Sequence, residues 1–285
     1  MVRKGNIINS MQYTDEELSK LHDTLYEILH VVDEICRKHD IKYFVTGGTA
    51  IGVHFWQGII PWDDDIDIGM TRRNYERFLA VAQQEMGDKY FLQTPDTDAK
   101  IPFFFAKVRK NNTVFSESQF KSVNMHQGIY VDIFPFDDIP LSARLQKLQH
   151  EVLFFLNGLL ISKEIWQYEH CGRCEVDTPR KRGFLACLMT RIIISCVTKK
   201  TLLRMINRVQ TWFNGKGYEE CKNIITRSEH LTKYNAENPE LRTLGPLQIY
   251  APRDIVTYLL NHYGKIQKDC PPEMRVNHRP AELVF

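Results

Sequence analysis

The sequence lacks the features that mark an exported protein or one that coats nucleic acid. Its first residues, MVRKGNIINS, contain no apolar run of the kind found in secretory signals. Its 37 basic and 35 acidic residues nearly cancel, which argues against a nucleic-acid partner bound by overall charge. The seven cysteines are an odd and scattered set. We therefore expect free thiols and a cytoplasmic protein without a nucleic-acid partner.

Two other features are incomplete. Cys171 and Cys174, with His170, form only half of a zinc site, because no second Cys-x-x-Cys or His pair follows at a usual spacing. Free thiols on a polar loop are the favoured interpretation. The apolar segment 183–197 has basic flanks but is too short to span a bilayer. A buried helix is favoured there, and a helix in peripheral contact with the inner face of a membrane is the alternative.

Apolar periodicity predicts a strand-rich part followed by a helical part. A capping-box pattern at Thr14 and Glu17 starts an amphipathic helix over 14–39. The other predicted elements are helices at 49–58 and 72–86 and strands at 42–48, 65–70, 103–110, 113–117 and 128–136. We therefore expect an α+β fold with a mixed β-sheet flanked by helices. The catalytic core would span 14–140, and a mainly helical region would span 141–285.

Acidic side chains crowd the segment PWDDDIDIGM, which spans 61–70. In a strand, Asp65 and Asp67 would share one face while Ile66 and Ile68 point into the core. Asp63 would join that face if the strand begins early enough. Like charges beside buried positions repel each other unless a cation lies between them. The alternative is a solvated turn, in which the cluster would mean little.

A third carboxylate recurs on a later strand. Asp132 lies between Val131 and Ile133, which would point the opposite way. The carboxylates could then meet on one sheet face. Such oxygen ligands suit one or two Mg²⁺ (or Mn²⁺) ions, which keep room for phosphate oxygens.

A glycine pair lies between the strand 42–48 and the helix that follows. Gly47 and Gly48 have no Cβ, and Thr49 would lie at or near the helix N-cap. Backbone N–H groups at such a position can face a phosphate that comes close. The alternative is a tight turn with no ligand.

The order of these features, a Gly-Gly turn, an Asp-x-Asp strand and a later strand with a third Asp, resembles the nucleotidyltransferase superfamily. FVTGGTAIGVHFWQGIIPWDDDIDIGM closely resembles the signature of the LicD family, which includes lipopolysaccharide cholinephosphotransferases and fukutin-like proteins. The resemblance continues in KVRKNNTVF (107–115), HQGIYVDIFPFDDIP (126–140) and YGKIQKDCPPEMRVNHRP (263–280). It covers residues 40 to 140 well and the tail recognisably.

The resemblance implies roles for particular residues. Asp65 and Asp67 would be metal ligands, Asp132 the third carboxylate and Asp63 a further acidic position of the metal site. Gly47, Gly48 and Thr49 would hold donor phosphates. Lys107 and Arg109 share a strand face and are candidate phosphate contacts, with a solvated edge as the alternative. Arg275 and His278 match the tail, and their role stays open between structure and substrate binding.

Several aromatic residues are expected in the core, and the alternative is that some of them wall a pocket for a quaternary ammonium by cation–π contact. They are Trp56, Trp62, Phe103, Phe105 and Tyr130.

Members of the family move a phospho-alcohol group from a CDP-activated donor to a sugar hydroxyl of a surface glycan. The resemblance implies that activity here, with phosphocholine as the first candidate and a glycan acceptor that a lipid carrier could hold. The alternatives are phosphoethanolamine, glycerol phosphate or ribitol phosphate, a nucleotidyl transfer, and a nucleotide-binding protein without catalysis.

Overall fold

The computed structural model describes residues 13–169, 184–268, 275 and 277–285. The first half contains α1 (Asp15–Lys38), β1 (Phe44–Val45), α2 (Gly47–Trp56), β2 (Asp67–Thr71), α3 (Arg72–Met86), β3 (Tyr90–Gln93), β4 (Ala106–Lys110), β5 (Val114–Ser116) and β6 (Tyr130–Ile139). The second half contains α4 (Ala143–Glu169), α5 (Phe184–Cys196), α6 (Lys199–Gln210), β7 (Glu220–Lys222), β8 (His230–Thr232), α7 (Lys233–Glu237), β9 (Glu240–Leu244), β10 (Leu247–Ala251), α8 (Ile255–Tyr263) and β11 (Glu282–Val284).

The main sheet has the strand order β1-β2-β6-β4-β3. β2 and β6 are parallel, whereas the β1–β2, β4–β6 and β3–β4 pairs are antiparallel. Beyond Phe136, β6 continues to pair with β7, and β7 pairs with β8. The predicted α+β fold, a mixed sheet flanked by helices, is confirmed.

The first helix is set by its cap and its apolar stripe. The Thr14 hydroxyl accepts from the Glu17 N–H at 3.1 Å, and the Glu17 carboxylate accepts from the Thr14 N–H at 2.9 Å, which is the predicted capping box. Leu21, Leu25 and Ile28 are at most 1% exposed. Each such side chain stabilises the fold by about 1.5–3 kcal/mol through burial. The stripe therefore fastens α1 to the sheet.

Three local predictions were wrong in detail. Gly47 is already the first residue of α2, and Thr46 is its N-cap, so Thr49 lies inside the helix. β2 begins at Asp67, so Asp65 precedes the strand. β3 was not predicted, because three of its four residues are buried and no alternation of apolar and polar residues marks it.

The region after residue 140 holds helices and also five short strands, β7 to β11, that were not predicted. Each is only three to five residues long, too short to show a clear period. Cys221, Leu231 and Tyr258 pack in the same core cluster as Ile68 and Ile133. Among the described residues, one core therefore lies on both sides of position 140.

A second apolar cluster joins α4, α5 and α6, and it includes Leu160, Ile194 and Ile206. Within α5, Ile194 is 7% exposed while Ile192 is 49% exposed. None of the helices in the described ranges is both long enough and apolar enough to cross a bilayer. Peripheral membrane contact through 183–197 stays a prediction. Cys171 and Cys174 lie outside the described residues.

Candidate active site

Strand register brings two carboxylates and an ammonium into one row. Asp67 of β2 is the direct neighbour of Asp132 of β6, and Lys107 of β4 is the neighbour of Asp132 on its other side. Cross-strand neighbours point to the same face of a sheet. Residues one position along, such as Ile68 and Ile133, are fully buried on the opposite face. The alternation that the sequence predicted therefore does sort acid from core.

Asp132 is held by Lys107 but is not saturated by it. The Lys107 Nζ lies 2.9 Å from Oδ1 and 3.2 Å from Oδ2, and only the contact with Oδ2 has hydrogen-bond geometry. Oδ1 is buried and has no hydrogen-bond partner. Burial raises the pKa of Asp132, although the charge of Lys107 opposes that rise. Asp132 thus keeps an acceptor oxygen for a cation or a proton donor.

The negative charges of the carboxylates before and within β2 are also not fully offset by neighbouring cations. Burial first, and then the charges of Asp65 and Asp64, raise the pKa of Asp63 to about 8. Burial and the charges of Asp64 and Asp132 raise the pKa of Asp65 to about 6. Burial and the charges of Asp65 and Asp132 raise the pKa of Asp67 well above its usual range. Such a set is stabilised by an added positive charge.

These donors fit a hard divalent cation. Asp63, Asp65, Asp67 and Asp132 supply only carboxylate oxygens, the ligand type that Mg²⁺ and Mn²⁺ prefer. The observation that favours a bound cation is the position of Asp67 and Asp132 as direct neighbours on β2 and β6, because adjacent carboxylates repel each other without a counter-charge.

A different trio is the most compact one in the described part of the chain. One ligand atom from each of Asp64, Asp65 and His278 lies within 4.8 Å of the others. However, the Asp64 carboxylate already accepts from the Tyr13 hydroxyl at 2.7 Å and from the His278 backbone N–H at 2.9 Å. The hydrogen bond with Asp64 raises the pKa of His278 to about 9, which favours the charged form of the ring beside these carboxylates. Through Asp64, the tail at His278 and the residue before the α1 cap, Tyr13, are both bonded to the acidic loop.

The glycine turn lies directly against the acids. Gly47 has φ +53°, and a Cβ there would lie 3.3 Å from the Asp67 Oδ2. A Cβ on Gly48 would lie 2.8 Å from the Asp63 Oδ2, closer than real Cβ atoms come. The missing side chains therefore let both carboxylates approach the N-terminus of α2, where the helix dipole is positive.

Two of the protein groups that were predicted to bind phosphate already have hydrogen-bond partners within the protein. The Gly47 N–H donates to the Tyr258 hydroxyl at 2.8 Å. The Thr49 hydroxyl accepts from the Asp67 N–H at 2.9 Å and so fixes the start of β2. Phosphate binding by Gly47, Gly48 and Thr49 stays a prediction.

Lys107 and Arg109 share a strand face but differ in their contacts. Arg109 is 1% exposed, donates from Nη1 to the Gly128 carbonyl at 2.6 Å and donates from Nε to Gln93. It therefore binds neighbouring chain segments together. Lys107 faces the acids. Of the two residues, Lys107 is the better candidate for contact with a phosphate, and that contact stays a prediction.

The aromatic residues surround cations, but the cations are the protein's own. The Lys107 Nζ lies 3.5 Å from the ring centroid of Tyr130, 5.2 Å from that of Phe103 and 5.6 Å from that of Phe105. A second aromatic pair is formed by Trp56 and Trp62, with centroids 5.7 Å apart.

The tail supplies the cations of that tryptophan pair. Arg275 lies 4.4 Å from the Trp62 ring, and Lys268 lies 5.8 Å from the Trp56 ring. Both tail residues therefore cover aromatic faces next to the acidic loop. The role of Arg275 and His278 in substrate binding stays open, but their structural contacts with the acidic loop are plain.

Three residues of the site were not foreseen. The Tyr258 hydroxyl, which accepts from Gly47, donates to the buried Glu229 at 2.5 Å. The charge of Glu229 adds to the rise in the pKa of Asp67. Tyr263 is also close, since burial and then the charges of Glu229 and Asp67 raise its pKa. Only Tyr263 had a sequence signal, because it begins the tail motif.

Acidic neighbours on parallel strands, set beside a glycine-led helix, are the arrangement expected of a nucleotidyltransferase site. Residues 40–151 match the family model described as LicD/FKTN/FKRP, nucleotidyltransferase domain. The match covers less than half of the chain and agrees with the family that the motifs predicted.

The chain is also similar to three individual proteins over part of its length. The chain is 35% identical over 119 residues to the Haemophilus influenzae protein named lipopolysaccharide cholinephosphotransferase LicD, covering 41% of this chain and 43% of that protein. It is 38% identical over 61 residues to an uncharacterized protein of Rickettsia typhi, covering 21% of this chain and 20% of that protein. It is 45% identical over 51 residues to an uncharacterized protein of Rickettsia prowazekii, covering 18% and 19%. The chain therefore spans less than half the length of each of these relatives.

Proposed function

We propose that this protein transfers a phospho-alcohol group from a CDP-activated donor to a sugar hydroxyl of a cell-surface glycan or its precursor. Phosphocholine is the first candidate, because the H. influenzae relative is named for its transfer. The single observation that carries the proposal is the row of Asp67, Asp132 and Lys107 beside the Gly47 turn, in the segment that matches the LicD family model.

Asp63, Asp65, Asp67 and Asp132 would hold Mg²⁺ or Mn²⁺. When bound, the metal would offset the charge of the carboxylates and of the donor diphosphate. No other part of the reaction needs a group from outside the chain and its two substrates.

The chain's own residues divide the remaining work. Asp132 lies beside Asp67 on the same sheet face, and an oxygen of its carboxylate that the metal does not use could accept the proton of the acceptor hydroxyl. The bond from that hydroxyl oxygen to phosphorus forms while the bond from phosphorus to the CMP oxygen breaks, and CMP leaves. Lys107 fixes the orientation of Asp132 and adds positive charge on the same face. Most of the acceleration would come from positioning and charge stabilisation.

Two kinds of function are alternatives to the proposed transfer. A donor that carries ethanolamine, glycerol or ribitol would use the same acids, and so would a nucleotidyl transfer. A nucleotide-binding protein without catalysis would be free to lose one of these acids, whereas Asp65, Asp67 and Asp132 are all present.

A donor screen tests the proposal. CDP-choline, CDP-ethanolamine, CDP-glycerol, CDP-ribitol and nucleoside triphosphates are each supplied with Mg²⁺ and cell glycan, and nucleotide release is measured. We expect glycan-dependent CMP release from one CDP-alcohol, first of all CDP-choline, and none from the Asp67→Asn control. Release of pyrophosphate from a triphosphate would instead show nucleotidyl transfer. Donor binding without any release would show a binding protein.

A further inference from the structure

A second cavity lies away from the acids, between α3, the segment 94–104 and the helices α4 and α6. Its volume is about 870 Å³. Arg72, one of its lining residues, directly follows β2, whereas Asp67 begins that strand. Because a strand advances about 3.3 Å per residue, the two Cα atoms lie roughly 16 Å apart. The cavity is therefore distinct from the carboxylate site but within the length of a short glycan.

The cations of this cavity fall into two groups. In its wall, the Lys199 Nζ donates to the carbonyls of Ala99 and Ile101 at 2.6 and 2.7 Å, so this ammonium is used by the fold. Around its opening, the exposed side chains of Lys100, Lys200 and Arg204 line the cavity. Glu76 and Asp96 also line the cavity, but within the described ranges neither they nor any other carboxylate forms an ion pair with these three, which we call the rim cations.

A buried acid completes the site. Glu164 lines the cavity and is 4% exposed. Its Oε1 lies 3.3 Å from the Lys199 Nζ, but its Oε2 is buried and has no hydrogen-bond partner. An acceptor in that state is satisfied by a donor such as a hydroxyl group. Phe104 and Leu203 supply apolar wall beside it.

Together these groups define the chemistry of a ligand. Lysine and arginine side chains bind phosphate oxygens through charge-assisted hydrogen bonds. The unpaired carboxylate oxygen of Glu164 behind them would accept a hydrogen bond from a hydroxyl group of the same ligand. A plain inorganic anion would leave Glu164 unsatisfied, and an apolar molecule would leave both groups unused.

We propose that this cavity binds a sugar phosphate, with the phosphate at the rim cations and a sugar hydroxyl on Glu164. Its identification with a phosphorylated unit of the acceptor glycan rests on the proposed function. The binding site itself does not.

The test is a calorimetric titration with glucose 1-phosphate, and with glucose and inorganic phosphate in separate arms. No CDP-alcohol and no divalent metal are present. We expect glucose 1-phosphate to bind more tightly than either fragment. Arg204→Ala should weaken this binding about tenfold or more, since a charged hydrogen bond to phosphate is lost. Glu164→Gln should weaken binding of glucose 1-phosphate but not of inorganic phosphate.

Arg208→Ala is the matched control, because Arg208 is an exposed arginine one helical turn further along α6 that does not line the cavity. It should leave the affinity unchanged. The absence of glucose 1-phosphate binding, or equal losses in Arg204→Ala and Arg208→Ala, would overturn the proposal. So would equal affinities for glucose 1-phosphate and inorganic phosphate.

This titration and the donor screen can fail separately. Binding of glucose 1-phosphate needs no turnover, and CMP release in the donor screen does not require glucose 1-phosphate to be a ligand. If both succeed, Arg204→Ala should raise the KM for the glycan and leave the KM for the CDP-alcohol and kcat unchanged. Equal changes in all three constants would remove the link to the acceptor.

Discussion

Two groups of acids in this protein differ in what balances their charge. In the scaffold, Asp137 is fully buried and accepts from the Arg72 guanidinium at 2.5 and 2.8 Å. Glu27 accepts from Tyr90 at 2.6 Å and from Lys110 at 2.8 Å. In the site, the charged neighbours that most affect Asp63, Asp65 and Asp67 are other carboxylates, and the charges of His278 and Lys107 offset only part of the rise in pKa. The fold itself satisfies the scaffold acids, whereas the site acids are left for something that binds.

The direction of the pKa shifts expresses this difference. Burial would raise the pKa of Glu27, but hydrogen bonds from Lys110, Lys89 and Tyr90 lower it to about 2. Burial raises the pKa of Asp63 to about 8, and the neighbouring carboxylates add to that rise. Removing a charge should therefore destabilise the scaffold and should not destabilise the site.

The largest expected effect is the loss of activity in Asp67→Asn. We expect turnover to fall by on the order of 1,000-fold or more, because the ligands of a metal that offsets transition-state charge are incomplete. The melting temperature without metal should hold or rise, since one repelling charge is gone. Stabilisation by Mg²⁺ plus CDP-donor should disappear. Turnover and thermal melts with and without Mg²⁺ measure this, and Asp65→Asn should behave alike.

Asp88→Asn, at an exposed acid outside the site, is the control and should change neither turnover nor the response to Mg²⁺. Wild-type turnover in Asp67→Asn or Asp65→Asn would show that the metal assignment is wrong.

Asp132→Asn should separate donor binding from catalysis. Asp65, Asp67 and the Gly47 turn would hold the donor diphosphate in the ground state, whereas Asp132 would act where the acceptor hydroxyl enters. We expect nearly normal donor affinity and a kcat about 100-fold lower, because an interaction made only in the transition state changes kcat. Donor titration by calorimetry beside steady-state kinetics measures both. A loss of donor affinity with unchanged kcat would make Asp132 a donor ligand only.

In the scaffold, Asp137→Asn should give the opposite response to Asp67→Asn. The Arg72 guanidinium would stay buried without its counter-charge, which costs about 3–5 kcal/mol of unfolding free energy. Urea denaturation measures the loss. The double variant Arg72→Met, Asp137→Asn should recover most of it, since no unpaired charge remains. A single variant as stable as wild type would end the distinction between the two groups of acids.

The placement of Asp67 and Asp132 on one sheet face could be predicted from the sequence, because it follows from local alternation. Both lie between residues that are fully buried, and Gly47 and Gly48 begin a helix. The sequence could not separate Lys107 from Arg109. Both lie on one face of β4, and only the pairing of β4 with β6 places Lys107 beside Asp132 and Arg109 beside Tyr130. The Arg109 side chain donates to Gln93 of β3, which is not its direct neighbour in that strand pair.

Long-range packing hid the rest of the site. Glu229 and Tyr258 reach Gly47 from a region of short strands, where no period of apolar residues announces an element. The hydrogen bond between Gly47 and Tyr258 joins residues 211 positions apart in the chain. Such contacts depend on tertiary structure, which a single sequence does not supply.

The smallest expected effect is in Glu27→Gln, and its sign depends on pH. The pKa of Glu27 is lowered from 4.5 to about 2 in the folded protein. A lowered carboxyl pKa stabilises the fold above the unfolded value, and this stabilisation is lost as the pH falls through the folded value. Glu27→Gln should therefore lower the free energy of unfolding by about 1 kcal/mol at pH 7, after allowance for solvent screening. The difference from wild type should shrink between pH 4.5 and pH 2.

Urea denaturation across this range measures the difference in the free energy of unfolding. Glu34→Gln, at a more exposed acid of α1, is the control and should show little effect. A difference that grows on acidification would mean that the carboxylate of Glu27 is not stabilised by its lysines.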